Sequence, residues 1–211
     1  MKITLFGATG KTGIYLIQEG LKRGFEITVF ARSNSQFEHP DVQIVRGDFT
    51  NQNLLREAIR DSDAVLSALG PANIPHPNGI PITKATDAII SAMKLEGLDR
   101  LVAISTGTAV DPDDGIDMKI WLPAQLIKFT MPKVYKDIVG MAKTIRASGL
   151  NWTMVRVALL KSIPASNRLN VGLYGHVKHN LKISREDVAK FMFDQILTSE
   201  FVNKAPGIST Q

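Results

Sequence analysis

Gly7-Ala8-Thr9-Gly10-Lys11-Thr12-Gly13 follows directly on the apolar run Lys2-Ile3-Thr4-Leu5-Phe6 and opens a segment of helical period, Thr12 to Arg23. That placement predicts a strand, a turn and a helix in succession, and each glycine has its own task there. Gly7 permits the tight turn, Gly10 lets backbone N–H groups approach a pyrophosphate, and Gly13 lets the helix pack closely on the strand. The helix N-terminus adds positive potential toward phosphate. A nucleotide-hydrolase phosphate loop is the competing reading, because Gly10-Lys11-Thr12 matches its end. Its opening glycine would fall on Leu5, inside the strand, so that reading fails. The stretch reads as a dinucleotide cradle.

Outward from it, short β-branched runs alternate with longer helical segments. Strands are predicted at Glu26 to Ala31, Val42 to Val45, Ala64 to Ala68, Leu101 to Ile104 and Trp152 to Val155. Helices are predicted at Gln52 to Arg60, 79–96, Val134 to Ala147 and Ser184 to Leu197, the last opened by the cap signature Ser184-Arg185-Glu186-Asp187. In the first helix Ile14, Leu16, Ile17 and Leu21 are expected to face inward. Met93, Met141 and Met154 are expected in the core. Alternating strands and helices imply an α/β fold, a doubly wound, Rossmann-like parallel sheet with helices on both faces, in a single domain over 1–211. After about residue 157 the pattern weakens, so 157–183 and the C-terminal helix are expected to form a substrate-side appendage.

Composition narrows the function classes. The 211 residues hold no cysteine, which removes disulfides, cysteine nucleophiles and iron–sulfur sites. The net charge is +5 with the charges dispersed and no run of five like charges, which argues against nucleic acid as a partner. The chain has no membrane-length apolar run and no signal-peptide pattern, so a cytoplasmic protein with no membrane partner is expected. His176 and His179 are three apart but lack acids to complete a metal set, and no metal is expected.

Cofactor preference is read at the end of the second strand. An NAD site places a carboxylate there for the ribose 2′-hydroxyl. This chain has Phe30-Ala31-Arg32-Ser33 instead, and Arg32 suits a 2′-phosphate, helped by Ser33 and Ser35. NADP is favoured over NAD.

These residues, together with Gly47-Asp48-Phe49, Leu69-Gly70, Ser105-Thr106 and Ser148-Gly149-Leu150-Asn151-Trp152-Thr153-Met154-Val155-Arg156, resemble the atypical short-chain dehydrogenase/reductases. The nearest branch is the biliverdin reductase B/NADPH-flavin reductase group with its NmrA-like relatives. The resemblance implies that Thr9, Gly10, Lys11 and Thr12 surround the diphosphate and that Arg32 takes the 2′-phosphate. Asp48 and Phe49 would hold the adenine, Leu69 and Gly70 would line the path to the nicotinamide, and Ser105 and Thr106 would sit beside it. Val157 stands where the group often has proline, and Leu159 where biliverdin reductase B has histidine.

Most short-chain reductases use Tyr-x-x-x-Lys as acid and helper. Here Tyr15 is followed four on by Glu19 and Tyr135 by Val139, while Tyr174 reaches Lys178 through Gly175 in a segment without helical period. Flavin reduction needs no such pair, because hydride passes between two positioned rings. The expected activity is therefore NADPH-dependent reduction of a flavin or another aromatic, conjugated small molecule. The alternative is a non-catalytic NmrA-like redox sensor. Ser105 and Thr106 are the positioning candidates, and His76, Trp121 and Tyr135 the substrate-side ones. Residues 116–131 are unusually apolar and read either as an extra core-packing helix or as a flap over the acceptor.

Overall fold

The computed structural model describes residues 1–71, 75–166 and 168–211. In chain order the elements are β1 (Lys2–Phe6), α1 (Gly13–Lys22), β2 (Glu26–Ala31), β3 (Gln43–Arg46), α2 (Gln52–Ile59), β4 (Ala64–Ser67), α3 (Pro81–Leu95) and β5 (Arg100–Thr106). Then come α4 (Met118–Thr130), α5 (Pro132–Arg146), β6 (Asn151–Val157), β7 (Leu159–Lys161), β8 (Leu169–Gly172), β9 (Lys182–Ser184), α6 (Arg185–Leu197) and β10 (Gly207–Thr210).

The main sheet runs β3-β2-β1-β4-β5-β6-β10-β8, parallel from β3 through to β10, with β8 antiparallel at its edge. Strand order reverses between β1 and β4, which both leave the sheet at their carboxyl ends. Such a switch point opens a crevice in doubly wound sheets. Side chains alternate across the strands, so each face of the sheet carries its own core. On one face Phe6, Phe30, Val65, Leu101 and Met154 pack with Leu55, Met93, Ile138 and Met141. On the other Ile3, Leu5, Val29, Leu66 and Val155 pack with Leu16, Val188, Met192 and Phe193. The three methionines predicted for the core are buried.

Several expectations change. Ile14 is half exposed rather than inward, because α1 presents Leu16, Ile17 and Gly20 to the sheet. Residues 157–183, expected as a substrate-side appendage, hold regular strands. Asn167 lies outside the described residues; of the rest, β8 extends the main sheet by pairing with β10, and β7 and β9 form a two-stranded parallel ladder. The C-terminal helix α6 belongs to the second core, against α1. His179 is buried, with Nδ1 on the Ser209 hydroxyl, Nε2 on the Gly172 carbonyl, and its ring edge-on to Tyr174. Burial pushes its pKa below the usual histidine value.

Candidate functional site

The glycine turn sits at the switch point. Gly7 has φ +76°, and a Cβ there would lie 2.8 Å from the backbone of Ala68, just past β4. At Gly13 a Cβ would meet the Ala8 backbone at 2.3 Å. Backbone cannot yield as a flexible side chain does, so both positions require glycine. The turn is closed by Gly10 N–H donating to the Gly7 carbonyl at 3.1 Å. Thr9, Gly10 and Lys11 are exposed, and the N–H groups of Lys11 and Thr12 find no acceptor among the described residues. No acidic side chain occupies the first turn of α1. Free N–H donors at an uncompensated helix N-terminus suit an anion. A tight turn held against β4 and α1 by Gly7 and Gly13, with the Lys11 and Thr12 N–H groups unpaired at its exposed rim, fits a dinucleotide diphosphate, and Gly7, Thr9, Gly10, Lys11, Thr12 and Gly13 are the residues that could hold it. Gly13→Ala is expected to weaken cofactor binding at least about tenfold and to lower stability by about 1–3 kcal/mol, the scale of overpacking. Cofactor titration and urea unfolding of the same variant check both.

Beside the cradle lies a cleft of about 430 Å³ lined by Lys11, Ile14, Tyr15, Gln18, Ser162 and Arg185. Arg185 donates to the Ser162 hydroxyl at 2.9 Å, and its Nε finds no acceptor among the described residues. The cleft continues the positive character of the turn along the outer side of α1.

At the end of β2, Arg32 is exposed and forms no ion pair among the described residues. Ser33, expected to help it, donates instead to Asp48 at 3.3 Å, and the Ser35 hydroxyl accepts from Phe37 N–H. Asp48 is exposed at the edge, while Phe49 packs into a ring cluster with Phe6 and Phe30 at centroid distances of 6.1 and 5.4 Å. Beyond β4, Leu69 is half-buried and Gly70 has open space around it.

Ser105, the penultimate residue of β5, has a buried hydroxyl that finds no partner among the described residues. Thr106 is committed locally, its Oγ1 lying 2.6 Å from Thr108 Oγ1 and accepting from Thr108 N–H. Of the two positioning candidates, Ser105 has a hydroxyl without a partner among the described residues, and Thr106 shares its own with Thr108.

The structure moves two substrate-side candidates. His76 is buried, with Nε2 2.8 Å from Asp137 Oδ2 on α5, rather than standing over the site. Asp137 also accepts from Ile82 N–H at 3.0 Å, Thr83 N–H at 2.8 Å and the Thr83 hydroxyl at 2.8 Å, so it caps α3 from a neighbouring helix. Within 116–131 a helix does form, α4, and it packs on the core along one side only: Ile120 and Ala124 are buried, Ile127 and Met131 pack against the core, and Trp121 is 50% exposed. Tyr135, in the first turn of α5, lies under Lys128 with Nζ 5.8 Å from its ring centroid.

Sequence reasoning missed Arg156. It is fully buried in β6, donates to Asp114 at 2.5 and 2.7 Å and to the Ala205 carbonyl at 2.7 Å, and stacks on Tyr174 at 4.4 Å. The signal was available, since an arginine inside Trp152-Thr153-Met154-Val155-Arg156-Val157 must find a buried acid. Tyr174 is buried on that guanidinium with its hydroxyl donating to the Arg156 carbonyl at 3.3 Å, while Lys178 is exposed. Burial pushes the Tyr174 phenol well above its usual pKa. Among the described residues no group of three His, Asp or Glu could hold a metal ion.

A family model described as NAD(P)H-binding matches residues 7–199. The chain belongs to this NAD(P)H-binding family. It is 27% identical over 212 residues to the uncharacterized protein YwnB of Bacillus subtilis (strain 168), covering 97% of this chain and 96% of that one. Among solved structures, a short-chain dehydrogenase/reductase of Veillonella parvula DSM 2008 in complex with NADP superposes with a TM-score of 0.77 at 20% identity, over 99% of this chain and 94% of that one. ChuY, an anaerobillin reductase from Escherichia coli O157:H7, superposes with a TM-score of 0.74 at 16% identity, over 99% and 97%. These likenesses establish the Rossmann-like fold of this NAD(P)H-binding chain, and they agree with the resemblance to atypical short-chain reductases.

Proposed function

We propose that this NAD(P)H-binding protein is an NADPH-dependent reductase acting on a flavin or a similar conjugated, aromatic acceptor, by positioning rather than by tyrosine acid catalysis. The observation that carries the reading is the state of Tyr174. It is the phenol placed four residues before a lysine, and it is buried against Arg156 with its proton given to a backbone carbonyl. A phenol held there is a packing element, not a donor to substrate. When bound, the reduced nicotinamide supplies a hydride. The chain's own part is to hold the diphosphate on the glycine turn and to leave the Ser105 hydroxyl free at the end of β5 for a carboxamide or an acceptor carbonyl. Flavin-like acceptors can take their remaining proton from water after hydride transfer, so ring alignment suffices without a side-chain acid.

NADP is favoured because Arg32 is exposed and free of a carboxylate partner at the end of β2, where a 2′-phosphate would lie. With Ser33 turned to Asp48, recognition falls chiefly on Arg32. Arg32→Ala is expected to weaken NADPH roughly tenfold to a hundredfold and to leave NADH almost unchanged, the scale of one or two charge-assisted hydrogen bonds. Titration of both cofactors checks it, and an equal loss for the two would remove the assignment.

The activity is tested by NADPH oxidation with flavin mononucleotide and with a soluble quinone. Turnover above the free-solution rate is the expected result. Tight NADPH binding with no turnover of either acceptor would instead favour a redox sensor.

A further inference from the structure

We propose that α4 is a docking element that seats the protein on an anionic lipid surface, an inference independent of the reductase reading. At 100° per residue, Ile120, Ala124, Ile127 and Met131 lie along one side of this helix, and Met118, Leu122 and Phe129 along the opposite side, with Leu126 nearby. The first side is spent on the protein: Ile120 and Ala124 are buried, Ile120 lies over Gly107, and Ile127 and Met131 pack on the core. The second side faces water, with Leu122 60% and Phe129 79% exposed, and Trp121 is exposed at its flank. Ile116, just before the helix, is also exposed. The helix is apolar on two opposite faces and the fold uses one of them. A contiguous exposed apolar patch of this kind marks an interaction surface.

The charges around the patch decide what covers it. Residues 118–136 contain Lys119, Lys128, Lys133 and Lys136 and no acidic residue, and all four lysines are exposed. Lys119 and Lys128 fall on opposite flanks of the outer apolar stripe by the same helical geometry. The bracketing acids are committed, Asp117 to the cap of α4 and Asp137 to the cap of α3. A second copy docked by two-fold symmetry would bring the same lysines together with no carboxylate between them. A flap closing inward would turn its already packed face away from the core. An anionic lipid surface satisfies both features, taking the apolar stripe into the headgroup boundary while the lysine stems reach out to phosphates. The contact is peripheral, because no helix of the described residues is long and apolar enough to cross a membrane. The expectation of no membrane partner rested on the length of apolar runs, and surface docking makes no demand on that length.

The test uses the full chain with vesicles of phosphatidylcholine alone and with about a third phosphatidylglycerol, a surface charge sufficient to attract lysine clusters. Co-sedimentation is read together with tryptophan emission. Trp152 is buried and supplies a constant background, so a blue shift reports Trp121. Binding is expected on the anionic vesicles only, and it should fall steeply with salt. The double variant Leu122→Glu/Phe129→Glu should lose at least about tenfold in binding, with unchanged melting temperature and unchanged NADPH titration. Lys119→Gln/Lys133→Gln/Lys136→Gln, which leaves the apolar stripe intact, should lose a comparable share. Equal behaviour on neutral and anionic vesicles, or full binding by the double glutamate variant, would overturn the proposal. So would a dimer in light scattering that Phe129→Glu dissociates, since the patch would then be a contact between copies.

Discussion

Arg156→Ala is expected to cost about 3–5 kcal/mol of stability, the penalty for leaving a buried acid without its partner. The Arg156 side chain is the largest fully buried one among the described residues. Its removal strands Asp114, whose side chain is 8% exposed, and takes donors from the Ala205 and Ala109 carbonyls. It also removes the cation under the Tyr174 ring. A domain stable by about 5–15 kcal/mol loses a large part of its margin to one such change. The damage reaches the site, because Asp114 lies in the loop between β5 and α4, and that loop is tied to β6 through this pair and to the 174–175 turn through Gly115 N–H on the Tyr174 carbonyl. Urea unfolding of parent and variant measures the loss. Arg156→Met combined with Asp114→Leu should recover part of it, since replacing both members of a buried pair strands neither charge. A loss below about 1 kcal/mol for Arg156→Ala would show the pair to be dispensable.

Asp137→Ala should cost about 3 kcal/mol, because a fully buried carboxylate and four donors lose one another together. Two of the donors are the first free N–H groups of α3, whose entry is strained: Ile80 has φ +51°, a left-handed backbone that β-branched residues rarely adopt. The acid also sets a pH dependence. Burial pushes its pKa up, but the N–H groups of Ile82 and Thr83, with His76 and the Thr83 hydroxyl, hold it below the ordinary carboxylate value. A folded-state pKa below the unfolded one means the stabilisation is whole above the unfolded value of about 3.9 and is lost as pH falls through and below it. Melting temperature should therefore drop on the acid side in the parent and less steeply in Asp137→Asn. Parallel acid-side curves for the two proteins would show that the carboxylate makes no such contribution.

Much of this architecture is legible in the chain itself. The spans read for β1 and β2 coincide with the strands found, and the other strands and helices of the parallel half lie within a few residues of those expected. The reason is physical: a strand buried on both faces must be apolar throughout, and a crossover helix must carry an apolar stripe, so each element declares itself locally. The glycine turn is equally local, because steric exclusion of a Cβ depends on backbone that lies beside it. The ring cluster of Phe6, Phe30 and Phe49 and the position of Ser105 near the end of β5 needed only the strand order to be placed.

The remainder is written in contacts between distant residues. β7 to β10 are three or four residues long and mixed in composition, and they become strands only because neighbours offer a ladder edge. His76 looked like a loop histidine over the site until Asp137, far along the chain, drew it into the interior. Arg156 found Asp114 and Tyr174 in the same way, and the second apolar face of α4 is visible only once the first is seen to be packed. Periodicity reports whether a segment can bury a face; which face is buried, and which polar group each buried charge meets, follows from the fold as a whole.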